Sequence, residues 1–162
     1  MIRLFFESFK DKEIEERIGE DYEIIRLTSH IRFRTPTGWS KIYDAIVDTG
    51  AHAPVIPFNV WKDLDINVMA NYEIKGLNPR RECAIPSIIG KVVCILSDDQ
   101  GNQSEEIETI SFLTYTNEIP LIIGFKNLLS KFKVCFDYAK EDAYLMEEKN
   151  RHWDKKDSSN FR

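Results

Sequence analysis

Residues 42–57 have the sequence IYDAIVDTGAHAPVIP, in which an apolar run of strand type delivers Asp48 onto a tight turn and a second apolar run leads away from it. A carboxylate held beneath apolar strands is costly to desolvate, so a chain that keeps one there usually has a use for it. Thr49 offers a hydroxyl for a local hydrogen-bond network, and Gly50 allows backbone angles or close approaches that a side chain would forbid. The alternative is that Asp48 only orders the turn, as aspartates in Asx turns do.

A second apolar run, PLIIGFKNLL at residues 120–129, ends in glycine and continues into a helical pattern. Together, the Asp-Thr-Gly-Ala that begins at Asp48 and the Ile-Ile-Gly that ends at Gly124 resemble the retropepsin-like aspartic proteases, over residues 23–146. The resemblance implies an all-β fold, a closed barrel lobe with one or two short helices. It also implies that the strand ending at Gly124 packs beside the aspartate loop and supports it. An unrelated β domain with a chance Asp-Thr-Gly is the alternative fold.

The length of 162 residues predicts a single domain with a core of its own. Short apolar or alternating segments separated by turn residues predict many strands, including a last hairpin that ends near Met146. The retropepsin-like domain is expected to span residues 1–146, and residues 1–22 form an N-terminal extension whose structure the pattern leaves open. The charged residues 147–162 are expected to be a flexible tail.

The single Asp-Thr-Gly of the chain predicts a site made by two copies. Aspartic proteolysis uses two carboxylates that share one proton, one acting as base toward a water and the other polarising the scissile carbonyl. Asp44 precedes the turn and Asp137 belongs to the last hairpin, so neither is expected to supply the second carboxylate. The resemblance implies a two-fold homodimer in which Asp48 of each chain is catalytic, Thr49 braces the two loops and Gly50 sets the turn. It implies no metal and no organic cofactor.

The chain departs from viral retropepsins at two places. Many of those proteins pair an aspartate after Asp-Thr-Gly-Ala with an arginine after Ile-Gly, but these positions hold His52 and Phe125 here. The loss of both partners leaves no uncompensated charge, and His52 is expected either to face the cleft or to lie at its rim without a catalytic task. The flap region, GLNPRREC at residues 76–83, has one glycine and a proline, which predicts a stiffer flap than a glycine-rich hairpin. The resemblance implies substrate contacts from Ala51, His52, Gly76 and Leu77.

Composition indicates which binding partners and which cellular compartment to expect. The net charge of −5 at pH 7 provides no basic field, which argues against nucleic acid as a partner. No apolar run approaches the ~20 residues of a membrane span, and the N-terminal apolar run is too short for a signal peptide, so we expect a cytoplasmic protein with no membrane partner. Cys83, Cys94 and Cys135 are widely spaced, which suits a reducing compartment, and the last two are expected to be buried as small hydrophobic residues. The histidines show no metal-ligand spacing, so no metal is expected.

Two functions of different classes follow from these features. The first is a homodimeric aspartic endopeptidase that hydrolyses peptide bonds in extended peptide or protein substrates. The second is a non-catalytic dimer of the same fold that binds peptides by strand addition or serves as an interaction module. The intact Asp-Thr-Gly-Ala favours the enzyme because a binding module needs no desolvated carboxylate pair, whereas the altered flap favours the binding module.

Overall fold

Short β-strands joined by turns dominate the computed structural model, which describes residues 1–75 and 84–147. The all-β class predicted from the strand pattern is confirmed. In chain order the elements are β1 (Ile2–Arg3), β2 (Phe5–Lys10), α1 (Lys12–Ile18), β3 (Glu23–Thr35), β4 (Gly38–Trp39), β5 (Tyr43–Val47), β6 (Val55–Ile56), α2 (Phe58–Trp61), β7 (Asn67–Ile74), β8 (Ile85–Ser97), β9 (Ile107–Thr114), β10 (Ile122–Ile123), a 3₁₀ turn (Leu129–Lys131), β11 (Phe132–Asp137), a second 3₁₀ turn (Tyr138–Lys140) and β12 (Asp142–Glu147).

Burial alternates clearly along β8, although its sequence there is a nearly continuous apolar run. Val92, Cys94 and Leu96 are buried, and the residues between them are only half-buried, so a two-residue period directs one face of the strand to the core. Burial, only partly offset by the nearby charge of Lys131, raises the pKa of the Cys94 thiol to about 12. Cys94 is therefore a buried hydrophobic residue as expected, whereas Cys135 is only half-buried.

Six strands are paired in a closed ring. β3 pairs with β5, β5 pairs in parallel with β10, and β10 pairs with β6. β6 then pairs in parallel with β9, β9 pairs with β8, and β8 returns to β3. Every strand of the ring thus has a hydrogen-bonded neighbour on both sides, which removes free sheet edges from this part of the fold. β2 adds to the ring beside β3, and β7 adds beside β8.

The N-terminal extension, whose structure the sequence left open, forms an arm of β2 and α1 on the ring. β2 pairs antiparallel with β3 along its whole length. Asp11 caps α1 by accepting hydrogen bonds from the amides of Glu13 and Ile14, and Gly19 ends the helix in the left-handed conformation at φ 73°. No residue of α1 is buried, so its caps rather than core packing define where this helix begins and ends.

A second, three-stranded sheet in the order β1-β12-β11 joins the first described strand to the last two. Ile2 pairs with Leu145, and both side chains are buried in the common core. Asp98, in the turn between β8 and β9, accepts a hydrogen bond of 3.0 Å from the Arg3 amide. This bond ties the small sheet to the ring.

The segment after Gly124 forms turns and a 3₁₀ turn where the sequence pattern predicted a short helix. Asn127 has a φ of 57°, which an α-helix does not accommodate. Leu128 and Leu129 are nevertheless fully buried, so their apolar side chains pack in the core.

β12 ends at Glu147, one residue past the expected domain end, and the remainder of the predicted tail lies outside the described residues. Within the described part of the chain, neither α-helix has the length and apolar character needed to cross a membrane.

Candidate active site

The two motifs singled out in the sequence lie side by side in the structure. β5 and β10 are parallel neighbours, with Ile46 opposite Ile122 and Val47 opposite Ile123. Directly after β5, the Asp48 amide donates a 3.0 Å hydrogen bond to the Ile123 carbonyl and continues the pairing by one step. Asp48 therefore begins its turn from a backbone position fixed by β10.

The Asp48 side chain is held by its own turn. The side-chain Oδ1 of Asp48 accepts a hydrogen bond of 2.7 Å from the Gly50 amide. The main-chain carbonyl of Asp48 accepts one of 3.3 Å from the Ala51 amide. A Cβ at Gly50 would lie 3.1 Å from the same Oδ1, so glycine lets the backbone approach the carboxylate closely. The carboxylate residue is half-buried while Thr49 and Gly50 are exposed, so the turn presents Asp48 at the surface of this chain.

Gly124 packs against residues 48–54 between β5 and β6, which we call the Asp48 loop. A Cβ at this position would lie 2.8 Å from the Ala51 carbonyl oxygen and closer still to the carbonyl group of Ala53. These are backbone atoms, which cannot move aside as the end of a flexible side chain can. Glycine is therefore required at position 124 because the backbone of the neighbouring loop comes too close for a side chain. A positive φ is not the reason, since Gly124 is not among the positive-φ glycines.

Backbone hydrogen bonds join the Asp48 loop to the residues that follow Gly124. The Phe125 amide donates to the Ala51 carbonyl at 2.9 Å, and the Lys126 amide donates to the His52 carbonyl at 2.8 Å. His52 and Phe125, the positions at which many viral retropepsins carry an ion pair, each take part in one of these two bonds. In this chain main-chain bonds connect the same two segments.

An aromatic series leads away from the loop through His52. The exposed His52 ring meets the Phe112 ring edge-on at 5.3 Å, and Phe112 stacks on Tyr72 at 5.1 Å and an angle of 15°. Phe112 and Tyr72 were missed in the sequence because they come from β9 and β7, which lie on either side of β8. The alternation along β9 could have marked Phe112 as facing away from Leu113, but not what it contacts.

The other aspartates considered as second carboxylates have partners of their own. Asp44 lies opposite His30 across β3 and β5, with 3.3 Å between His30 Nε2 and Asp44 Oδ1. Asp137 is 2.9 Å from Lys140 Nζ. The structure thus brings Asp48, Thr49, Gly50, Ala51, His52 and Gly124 together, whereas Gly76 and Leu77 lie outside the described residues.

Residues 1–75 and 84–147 contain no group of three or more histidine, cysteine, aspartate or glutamate side chains arranged to hold a metal ion. Asp48, held by the Gly50 amide, offers this site a fixed carboxylate on a surface loop that can accept a proton or a hydrogen bond. A scan against protein-family models and a search of curated proteins found no match to this chain.

Proposed function

We propose that this chain is one half of a homodimeric, retropepsin-like aspartic endopeptidase. The observation that carries the proposal is the carboxylate of Asp48, held by the Gly50 amide on a loop against which Gly124 packs without room for a side chain. The parallel pairing of β5 with β10 and the closed ring of six strands also support it. The described residues near Asp48 offer one such carboxylate, so the proposal includes a second copy.

In the proposed dimer, Asp48 of one chain faces Asp48 of the other, and the pair holds one proton, as is general for aspartic proteases. The ionised carboxylate takes a proton from a water molecule, whose oxygen attacks the scissile carbonyl carbon. The protonated carboxylate gives its proton to the carbonyl oxygen, which produces a neutral tetrahedral diol. The first carboxylate then protonates the leaving nitrogen, the C–N bond breaks, and one diol hydroxyl returns a proton to the second carboxylate.

The proposed substrate is an extended segment of peptide or unfolded protein. Ala51 and His52 follow the catalytic turn directly, and the aromatic series from His52 to Tyr72 leads from this turn to β7. Among the described residues, β7 is an end strand of its sheet path, so its outer edge is suited to pairing with an added strand. In this proposal Thr49 braces the two catalytic loops across the two-fold axis.

The direct test is Asp48→Asn, compared with Asp44→Asn on β5, the strand that leads into the Asp48 turn. We expect Asp48→Asn to lower the rate of casein cleavage by about 100-fold or more, because an amide can neither take a proton from water nor share one. Asp44→Asn should cleave at the parental rate, since that side chain faces His30. Circular dichroism and melting temperature would establish that both variants are folded. An Asp48→Asn protein that cleaves as fast as the parent would exclude the proposed catalyst.

The same assay should give a bell-shaped pH profile with its maximum on the acidic side. Two adjacent carboxylates work only while they hold one proton between them, so the rate falls when the pair holds two protons or none.

The second candidate, a peptide-binding module, is favoured by the edge position of β7. It predicts equal peptide affinity for the parent and for Asp48→Asn with no turnover by either, which isothermal titration with a casein-derived peptide would measure.

A further inference from the structure

An uncharged groove lies immediately beside the Asp48 loop, between the N-terminal arm and the small sheet. Its volume is about 280 Å³, and none of the residues that line it is acidic or basic. We call it the Phe136 groove, and its lining includes Phe6, Ile25, Val47, Thr49, Phe136 and Tyr138.

The Phe136 groove is built from four separate parts of the chain. Phe6 lies on β2, and its ring meets the Tyr138 ring edge-on at 5.2 Å and an angle of 78°. Phe136 is near the end of β11 and is 63% exposed, and Ile25 on β3 is 41% exposed. Val47 and Thr49 stand on either side of Asp48 in the sequence. Exposed apolar side chains that cluster around a groove are typical of a surface that another molecule covers.

We propose that a second copy of this chain covers the Phe136 groove, so that the groove is the apolar centre of the interface that brings the two Asp48 loops together. Because each chain carries a net charge of −5, two copies repel one another at long range, and like charges at the centre of their contact would add to this repulsion. A two-fold interface places a patch against or near its own copy, so an acidic or basic centre would meet like charge. The Phe136 groove has no acidic or basic lining residue, so two copies of it can meet without this contact between like charges.

The lining of the Phe136 groove is rich in aromatic side chains and has no charged residue, as is typical of the fully buried core of a protein interface. The choice of a second copy as the partner rests on the proposed function, since the dyad is incomplete in one chain. A partner seated on the groove contacts Thr49, the neighbour of Asp48, and so completes the site from the same surface.

The test measures the monomer–dimer equilibrium of Phe136→Ser by sedimentation velocity over a range of concentrations. We expect the dimer dissociation constant to rise by about 30-fold or more, as for a central aromatic residue of an interface. Since the Phe136 side chain is mostly exposed, the variant should keep the parental circular dichroism spectrum. Ile25→Ser, on a different strand, is a second variant that should weaken the dimer in the same direction.

Ile42→Ser is the matched control, because Ile42 is 53% exposed but precedes β5, at the opposite end of that strand from Asp48. It should leave the dimer dissociation constant unchanged. A parent protein that is monomeric at all accessible concentrations would overturn the inference. So would dimers of Phe136→Ser and Ile25→Ser as tight as the parental dimer, and the proposed function would survive this second outcome if the parent still cleaved casein. A dimer that depends on Phe136 but never cleaves would support the interface and reject the protease.

Discussion

At the scale of single residues, Asp98 accepts more hydrogen bonds than any other carboxylate in the described part of the chain. Its Oδ1 accepts hydrogen bonds from the amides of Gln100 and Asn102, at 3.0 and 2.9 Å. Its Oδ2 accepts from the Arg3 amide at 3.0 Å and from Asn102 Nδ2 at 2.8 Å. Burial raises the pKa of this carboxyl, but the hydrogen bonds from Arg3, Asn102 and Gln100 outweigh burial and bring the pKa below its ordinary value of 3.8.

This lowered pKa gives a prediction for stability against pH. A carboxyl whose pKa is lower in the folded state stabilises the fold above its unfolded pKa, and the contribution is lost as pH falls through the folded pKa. Asp98→Asn should therefore lower the free energy of unfolding by about 1–3 kcal/mol near pH 6, because an amide nitrogen would face backbone donors. The difference from the parent should shrink as the pH falls below 3.8, where the carboxyl becomes protonated first in the unfolded chain and, at lower pH, in the folded protein.

Urea unfolding of the parent and the variant at several pH values would measure this difference. Asp99→Asn is the control, because the neighbouring Asp99 is exposed, and it should cost little at any pH. A difference between parent and Asp98→Asn that does not change between pH 6 and pH 3 would show that the ionised form of Asp98 is not what stabilises the turn.

At the scale of elements, β10 is a strand of only two residues that organises the candidate site. It lies between β5 and β6, the strands on either side of the Asp48 loop. Gly124 follows it directly and has backbone carbonyls where a side chain would be. A strand this short has little stability of its own, so its position depends on these neighbours on both sides.

Gly124→Ala should therefore destabilise the protein more than Gly90→Ala. A Cβ at Gly90 would lie 2.9 Å from Ile66 Cγ2 and from Leu113 Cδ1, which are side-chain methyl groups and can shift more readily than backbone atoms. A Cβ at Gly124 would meet the backbone of Ala51 and Ala53, which can yield only if the Asp48 loop moves. We expect overpacking of about 1–3 kcal/mol at Gly124 and a smaller cost at Gly90, measured by thermal and urea unfolding. Equal costs for the two substitutions would mean that the loop is free to shift.

At the scale of the whole molecule, the proposed site requires two chains, and mixing experiments can test this without a structure of the dimer. Asp48→Asn subunits exchanged with an equal amount of parent should form mixed dimers, each with one aspartate and one asparagine. If such mixed dimers are inactive, random pairing leaves about one half of the original cleavage rate. A rate that stays at the parental value after subunit exchange would show that each chain works alone.

The Phe136→Ser variant provides the control for this mixing experiment. An Asp48→Asn, Phe136→Ser double variant should pair poorly with the parent, so adding it should leave most of the cleavage rate intact. The comparison separates mixed-dimer formation from any general effect of added inactive protein.

Sequence alone determined the features that depend on neighbouring residues. Apolar runs between turn residues predicted strands such as β8, and Asp48 and Gly50 predicted their turn because the bond between them spans only two residues. The ends of α1 are also set locally, by caps at Asp11 and Gly19, but the structure of this N-terminal extension was left open by the sequence pattern. The adjacency of the Asp48 loop and the strand before Gly124 was expected only through the family resemblance.

Tertiary structure decided the features that depend on which distant strands meet. The contact of Phe112 with His52 and Tyr72, the pairing of β2 with β3, and the groove around Phe136 each join segments far apart in the chain. The helical spacing after Gly124 also gave way to turns, because the two buried leucines there serve the core. Strand partners and register are set by packing across the whole sheet, and a one-residue shift would send each side chain to the other face, so local sequence cannot specify them.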